Sequence, residues 1–277
     1  MLRDVTLGQF FPGNSFLHKA DPRIKLVALV VFMVFALLAQ SAVSIGLLLG
    51  TTVAFAVISR IRFSVLMRSL RPVIFLLLFT GVINLFFTTG EAPLLEWQFI
   101  KIYPEGIRTA VVMMLRLVCL VGGSSILLSY TTSPLALTDA IESLFGPLRK
   151  IKVPVHEFAM MMTIALRFIP TLMEETDKII SAQKARGAGF EDGGLLKKAK
   201  AMIPILIPLF VSAFRRADEL AEAMECRCYR GGDGRTKLKV MKSRFSDYVF
   251  LVLLIGMCVA VPFINHYLTF KVGVFVL

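Results

Sequence analysis

Two rhythms of apolar residues alternate along this chain, and they predict two kinds of helix. Predominantly apolar runs occupy about residues 25–40, 43–59, 72–89, 106–130 and 247–269. The hydrocarbon core of a bilayer takes about 20 such residues as a helix, so each run reads as a span, the first of them short. Between the fourth and fifth runs the rhythm changes. Over 155–187 apolar residues recur every three or four positions, at Phe158, Met161, Ala165, Phe168, Leu172, Ile179 and Ile180, while Glu174, Glu175, Asp177, Lys178 and Lys184 fall off that stripe. A second such segment carries Ile203, Leu206, Phe210, Phe214, Ala217, Leu220, Ala221 and Met224 on one side, with Arg215, Arg216, Asp218, Glu219, Glu222 and Glu225 on the other. These two helices do not span the membrane, because an ionised residue at mid-depth costs roughly 2.5 kcal/mol or more.

The pattern predicts an all-α polytopic membrane protein of about five transmembrane spans, with a cytosolic or interfacial domain of long amphipathic helices. The expected boundaries are 1–130 for the lead-in and first spans, 131–245 for the cytosolic domain and 246–277 for the last span. Continuous over 155–187, the first amphipathic helix would be roughly 50 Å long at 1.5 Å per residue, with a kink expected at Pro170. Glu174 is placed to pair with Lys178 four residues on. A short helix is expected over 135–149, a helix start at Asp21 before Pro22, and a hairpin or interfacial loop over 90–105.

Charge then sets the orientation. The chain has 277 residues, 56% hydrophobic, and a net charge of +12, outside the range of ordinary soluble domains. With the N-terminus in the cytosol, segments 1–25, 60–71 and 131–245 lie on that side and hold four, four and nineteen of the 31 Lys and Arg residues. The positive-inside rule requires such a bias, and it accounts for the basic excess without nucleic acid. The first twenty residues lack the compact apolar core of a signal peptide. Cys119, Cys226, Cys228 and Cys258 lie in apolar spans or in the charged segment and read as reduced thiols.

The candidate chemistry sits where the amphipathic helices end: Ala185-Arg186-Gly187 and Cys226-Arg227-Cys228. One Arg-Gly end is a helix stop, the glycine supplying a left-handed cap and the arginine meeting the negative end of the dipole. Two such ends on two long helices, in a chain without a phosphate-binding loop, suit a pair of equivalent pockets that take a guanidinium fork. Cys226 and Cys228 are half a metal site at most, with His18, His156 and His266 remote in sequence, so no metal and no cofactor is expected in this chain. Arg116, about ten residues into the fourth span, is either a functional intramembrane charge or a bundle-facing arginine paired with a neighbour such as Asn84. Gly46 with Gly50, and the patch Gly122-Gly123-Ser124-Ser125, suit close helix contact, within the chain before contact with a partner. No zinc-protease motif or nucleophile elbow occurs, and no catalytic residue is assigned.

Several stretches together resemble a known family. They are Pro12-Gly13-Asn14-Ser15-Phe16-Leu17-His18, Asp21-Pro22-Arg23-Ile24-Lys25-Leu26, Thr132-Ser133-Pro134-Leu135, Ala165-Leu166-Arg167-Phe168-Ile169-Pro170, Ala182-Gln183-Lys184-Ala185-Arg186-Gly187 and the run from Ala223 to Gly231. The whole chain looks like the transmembrane T component of energy-coupling factor transporters, which drive vitamin and transition-metal uptake in prokaryotes. The resemblance implies that two cytosolic coupling helices dock their Arg-centred ends into grooves on two ABC-type ATPase subunits. It further implies that the ATPases bind ATP and magnesium, that a separate membrane S component binds the substrate, and that this chain lies in the prokaryotic cell membrane among lipid. The first signature matches in full. The second keeps only its arginine, with Cys226 and Cys228 in place of alanine and glycine. The lead-in resembles T components that serve several interchangeable S components.

Two rival readings belong to other classes. One is a membrane-embedded enzyme acting on lipid, with Arg116 and His156 as site residues; the purified chain would turn over such a substrate alone. The other is a channel or self-sufficient carrier, which would move solute without ATPase partners.

Overall fold

Asp21 opens the first long helix in the way its position before Pro22 predicts. The computed structural model describes residues 10–39, 41–89, 95–97, 100–187, 194–232 and 241–272. The Asp21 carboxylate accepts a hydrogen bond from Arg23 N at 3.0 Å, capping helix α2 (Pro22–Leu38), and Pro22 takes the first helical position, where its missing N–H is no loss. Before it lies the short α1 (Phe16–Lys19). Then follow α3 (Ala42–Ser59), α4 (Phe63–Leu70), a 3-10 turn (Arg71–Val73), α5 (Ile74–Phe87), strands β1 (Leu95–Trp97) and β2 (Ile100–Ile102), and α6 (Pro104–Ser124), which continues through a π-helical segment (Ser125–Tyr130). After these come α7 (Pro134–Leu144), a 3-10 stretch (Gly146–Ile151), α8 (Val155–Ala185), α9 (Leu195–Cys226) and α10 (Phe245–Val272). The short helix expected over 135–149 thus stops at Leu144, and its last turns tighten around Gly146 and Pro147. The expected hairpin is formed, with Leu95 opposite Ile102 and Trp97 opposite Ile100.

Among the described residues, four helical stretches are long and apolar enough to cross a membrane: Ala42–Ser59, Ser64–Phe87, Pro104–Tyr130 and Phe245–His266. The protein is a multi-pass, all-α membrane protein with further long helices suited to coupling. The first of the five expected spans, α2, has 17 residues, about 26 Å at 1.5 Å per residue and so a little short of the hydrocarbon thickness.

The chain divides into two compact units. One contains the described residues 10–140 and 241–272, and the other 141–232. In the first, α2 packs against α6 and α10 around Phe32, Phe35, Leu48, Ile126, Leu127 and Leu254. Contact is closest at Gly123, where a β-carbon would stand 2.4 Å from the Phe32 ring. The glycine patch of the fourth span therefore serves contact within the chain, as expected. Gly46 and Gly50 do not: nothing stands within 4 Å of a β-carbon built on either, so their face is open among the described residues. Small residues permit a close approach without saying what approaches.

Polar groups tie this unit together at one end. Lys25 is 1% exposed, and its ammonium donates to Thr131 O at 3.0 Å and to Thr132 Oγ1 at 3.2 Å, where α6 and its π-helical continuation stop. Asp247, in the first turn of α10 and equally buried, accepts from Asp21 N at 3.2 Å and Arg244 N at 3.1 Å. The lead-in is fastened beside them by Phe11 N, which donates to Tyr130 O at 3.1 Å. His18 holds the turn around Gly13, accepting from Ser15 Oγ on Nδ1 at 2.6 Å and donating from Nε2 to Phe11 O at 3.0 Å. Burial pushes its pKa below the usual histidine value; the Phe11 hydrogen bond opposes this in part, and the nearby Lys25 charge adds to it.

In the second unit, α8 and α9 pack on one another. Both run unbroken through internal prolines, Pro170 in α8 and Pro204 and Pro208 in α9.

Candidate functional site

The ends of α8 and α9 are built alike. In α8, Arg186 (φ −85°, ψ 5°) leaves the helix and Gly187 follows at φ +86°. In α9, Arg227 (φ −92°, ψ 14°) leaves it and Cys228 follows at φ +54°. Replacement of glycine by cysteine has not changed the turn. Cys228 N donates to Glu225 O at 2.8 Å and Tyr229 N reaches back to Met224 O at 3.0 Å, the two bonds of a Schellman cap. At the first end, Gly187 N donates to Lys184 O at 3.0 Å, the bond equivalent to that of Cys228. Each arginine is thereby held at the mouth of a closed helix end. Both are exposed, with no ion-pair partner among the described residues. Ala185, Cys226 and Cys228 are exposed beside them.

One ion pair relates the two ends. Arg216 Nη2 of α9 meets Glu175 Oε2 of α8 at 2.6 Å, both side chains partly buried. Glu175 precedes Arg186 by eleven residues, and Arg216 precedes Arg227 by the same eleven. From this crossing each arm runs about 16 Å to its arginine at 1.5 Å per residue. Gly231 and Gly232, just beyond Arg227, lie against Glu157 and His156 at the start of α8: a β-carbon on Gly232 would stand 2.6 Å from His156 Cδ2. The Arg227 arm therefore turns toward the beginning of α8 while the Arg186 arm continues to its end, and the tips lie on opposite sides of the crossing. The expected Glu174–Lys178 pair does not form; one position round the helix, Glu175 faces α9 instead.

Apolar residues on these helices remain uncovered. Phe158 and Met161 of α8, and Ile207, Phe210, Val211 and Phe214 of α9, are each more than half exposed. An apolar patch of this extent marks an interaction surface.

Arg116 lies in the other unit and does not pair with Asn84. Its guanidinium donates to Ala39 O, the carbonyl at the end of α2, and Nη1 lies 3.6 Å from Met113 Sδ; Asn84 Nδ2 donates instead to Thr80 O at 2.8 Å. A cation at a helix C-terminus meets the negative end of the dipole, so Arg116 has a packing role in fastening α6 to α2. His156, the other residue of the enzyme reading, bonds through Nδ1 to Glu142 Oε1 at 2.9 Å. Among the described residues no group of three His, Cys, Asp or Glu side chains could hold a metal, and the four cysteines are free thiols.

Comparison with known proteins bears on this arrangement directly. The family described as "Cobalt transport protein", CbiQ, matches residues 13–238, which take in both arginine ends. The chain belongs to the CbiQ family. Among its relatives, the energy-coupling factor transporter transmembrane protein EcfT of Clostridium kluyveri is 50% identical over 263 residues, 94% of this chain and 97% of that protein. The EcfT protein of Ruminiclostridium cellulolyticum is 53% identical over 252 residues, covering 91% and 93%. That of Acidaminococcus fermentans is 51% identical over 265 residues, covering 96% and 98%. This CbiQ-family chain is thus a T component, a non-catalytic transmembrane coupling subunit of energy-coupling factor transporters, as the resemblance implied.

Reasoning from sequence missed two residues of this site. The sequence pattern places Arg216 and Glu175 on the polar sides of their helices, and the one signal of their equivalence is the spacing of eleven residues from each to its arginine. Met202 is exposed on α9, as Met161 and Met162 are on α8.

Proposed function

We propose that Arg186 and Arg227 are the points at which ATP-driven motion enters this chain, each seated in a groove on one of two ABC-type ATPase subunits. Ala185 and Gly187, and Cys226 and Cys228, shape the two turns that present them. The observation carrying this reading is the matched pair of caps, at equal distances from the Glu175–Arg216 crossing and on opposite sides of it. A symmetric pair of receptors calls for such a pair of plugs. A guanidinium supplies five fixed donors, and helix-end carbonyls or carboxylates in a groove would accept them bidentately.

When the ATPases bind ATP with magnesium and close, the two tips are carried together, and arms crossing near their outer thirds turn that approach into rotation of the longer inner parts of α8 and α9. Those inner parts bear the uncovered residues Phe158, Met161, Ile207 and Phe210. They form the seat for a substrate-binding S component, a separate membrane protein that reorients as its seat moves and releases a vitamin or a transition metal to the cytosol. Flexible methionines at Met161, Met162 and Met202 suit a seat that accepts several such subunits. The functional division is then 1–130 and 246–277 in the membrane and 131–245 as the cytosolic coupling domain. The chain itself needs no cofactor for this role.

The test is charge reversal of both tips. R186E/R227E should remain in the membrane and lose its ATPase subunits on purification; undiminished co-purification overturns the docking role. Reversal is harsher than truncation, because it sets like charges against each other in the groove.

A further inference from the structure

We infer that the end of α3 and the start of α4 form a binding site for an anionic glycerophospholipid of the cytosolic leaflet. The site is a cavity of about 510 Å³ whose wall includes Ala56 and Val57 of α3, Leu66 of α4 and Ile126 of the π-helical segment, with Arg60 and Arg62 at its edge. The wall is almost wholly apolar, and the two edge residues are exposed cations. That division of chemistry is the division within a phospholipid: an acyl chain for the cavity and a phosphate for the guanidinium pair. A free phosphate would leave the apolar part unused.

Three further observations favour a ligand over a generic basic loop. Arg60 caps α3 in the left-handed conformation, φ 54° and ψ 33°, donating its N–H to Val57 O at 3.1 Å. A non-glycine residue there is strained by roughly 1–2 kcal/mol, and strain of this kind gathers at functional positions. Second, the stretch 60–71 holds four arginines, Arg60, Arg62, Arg68 and Arg71, and no acidic residue, and none of the four has an ion-pair partner among the described residues. Third, the floor is packed: Leu66 and Thr52 lie against α6 at Gly122, within ordinary van der Waals reach of a β-carbon built there, 3.5 Å for Leu66 Cδ1 and 3.7 Å for Thr52 Cγ2. The cavity lies where a span ends and the charge bias places the cytosol, at the depth of the leaflet's phosphates.

Native mass spectrometry of the purified full chain, offered phosphatidylglycerol and phosphatidylcholine with identical acyl chains, reads the site directly. The expected result is one retained phosphatidylglycerol, preferred over phosphatidylcholine by roughly twenty- to thirty-fold, about fivefold for each arginine near the headgroup. R60Q/R62Q should bring the preference close to parity. K150Q/K152Q, the same loss of charge elsewhere in the chain, should leave it unchanged. Ala56→Phe, which fills the cavity and keeps both arginines, should abolish retention of either lipid. Excess inorganic phosphate should not displace the bound lipid. Melting midpoints in the same detergent, equal to that of the unaltered chain, show that a variant's loss is not misfolding. Equal retention of the two lipids by the unaltered chain, a preference that survives R60Q/R62Q or Ala56→Phe, or displacement by phosphate alone would each overturn the proposal.

Discussion

Glu175 and Arg216 meet at 2.6 Å across α8 and α9, each eleven residues before the arginine that ends its helix. A partly exposed ion pair of this kind contributes about 0–1 kcal/mol to stability, so its loss should scarcely affect folding. Its position at the crossing gives it a different importance. E175R should leave the melting midpoint almost unchanged and reduce ATP-driven substrate uptake several-fold in cells supplying the partner subunits. The exchanged pair E175R/R216E should recover most of that uptake. Uptake unaffected by E175R would remove the crossing from the account.

Cys228 occupies a left-handed position that glycine occupies at the other tip. Cys228→Gly should be neutral or stabilising by up to about 1 kcal/mol, because a β-carbon at positive φ costs roughly 1–2 kcal/mol and glycine gives part of that back in chain entropy. Gly187→Val puts a β-branched side chain at φ +86° and should fray the last turn, costing about 1–2 kcal/mol. Thermal unfolding of the two variants in detergent, followed by helical signal, checks both signs.

How much of this was legible in the sequence follows from what each feature depends on. The spans and the two arginine ends are local: an apolar run, or Ala-Arg-Gly closing an amphipathic stripe, carries its meaning wherever it sits. Contacts across helices are not local. For Arg116 the pattern leaves open a functional charge or a polar side-chain neighbour such as Asn84; the guanidinium instead donates to the Ala39 carbonyl, an acceptor every sequence offers everywhere and uses only where a helix stops. Glu174 and Glu175 differ by about 100° around α8, and which of them faces α9 is decided by the crossing. Lys25 reads as one of several basic residues before a span, yet it is sealed inside the unit because Thr131 and Thr132 present acceptors 106 and 107 residues away. The open face at Gly46 and Gly50 fails for the converse reason, since small residues record the possibility of contact and not its partner.

Lys25→Met should be strongly destabilising. The variant leaves Thr131 O without its donor and removes the positive charge that Asp247 and Asp21 share. Stranding one side of a buried charged network costs about 3–5 kcal/mol. A drop of roughly 6–12 degrees in the melting midpoint is expected with about 3 kcal/mol lost, at about 2–4 degrees per kcal/mol for a chain of this size. A midpoint within two or three degrees of the unaltered chain would contradict the assigned role, on the same scale.

His18 supplies a pH dependence with a definite sign. Its folded pKa lies below the ordinary value of 6.5, because burial and the Lys25 charge disfavour the imidazolium. The unfolded chain therefore takes up the proton first as pH falls. The stability that neutral His18 contributes is complete above pH 6.5 and is lost as the pH drops from there through the folded pKa. Protonation also takes from Nδ1 the lone pair that accepts from Ser15 Oγ. His18→Asn should melt lower at neutral pH and show a shallower decline on acidification than the unaltered chain; parallel declines would show that another group titrates.

The central claim is that force enters through Arg186 and Arg227, and site-specific photo-crosslinking in the assembled transporter tests it most directly. A photoreactive residue placed at either position in native membranes should yield an adduct of this chain with an ATPase subunit, and one placed at Lys101 should not. Adducts with lipid alone, or none at either tip while the complex remains intact, would contradict the account.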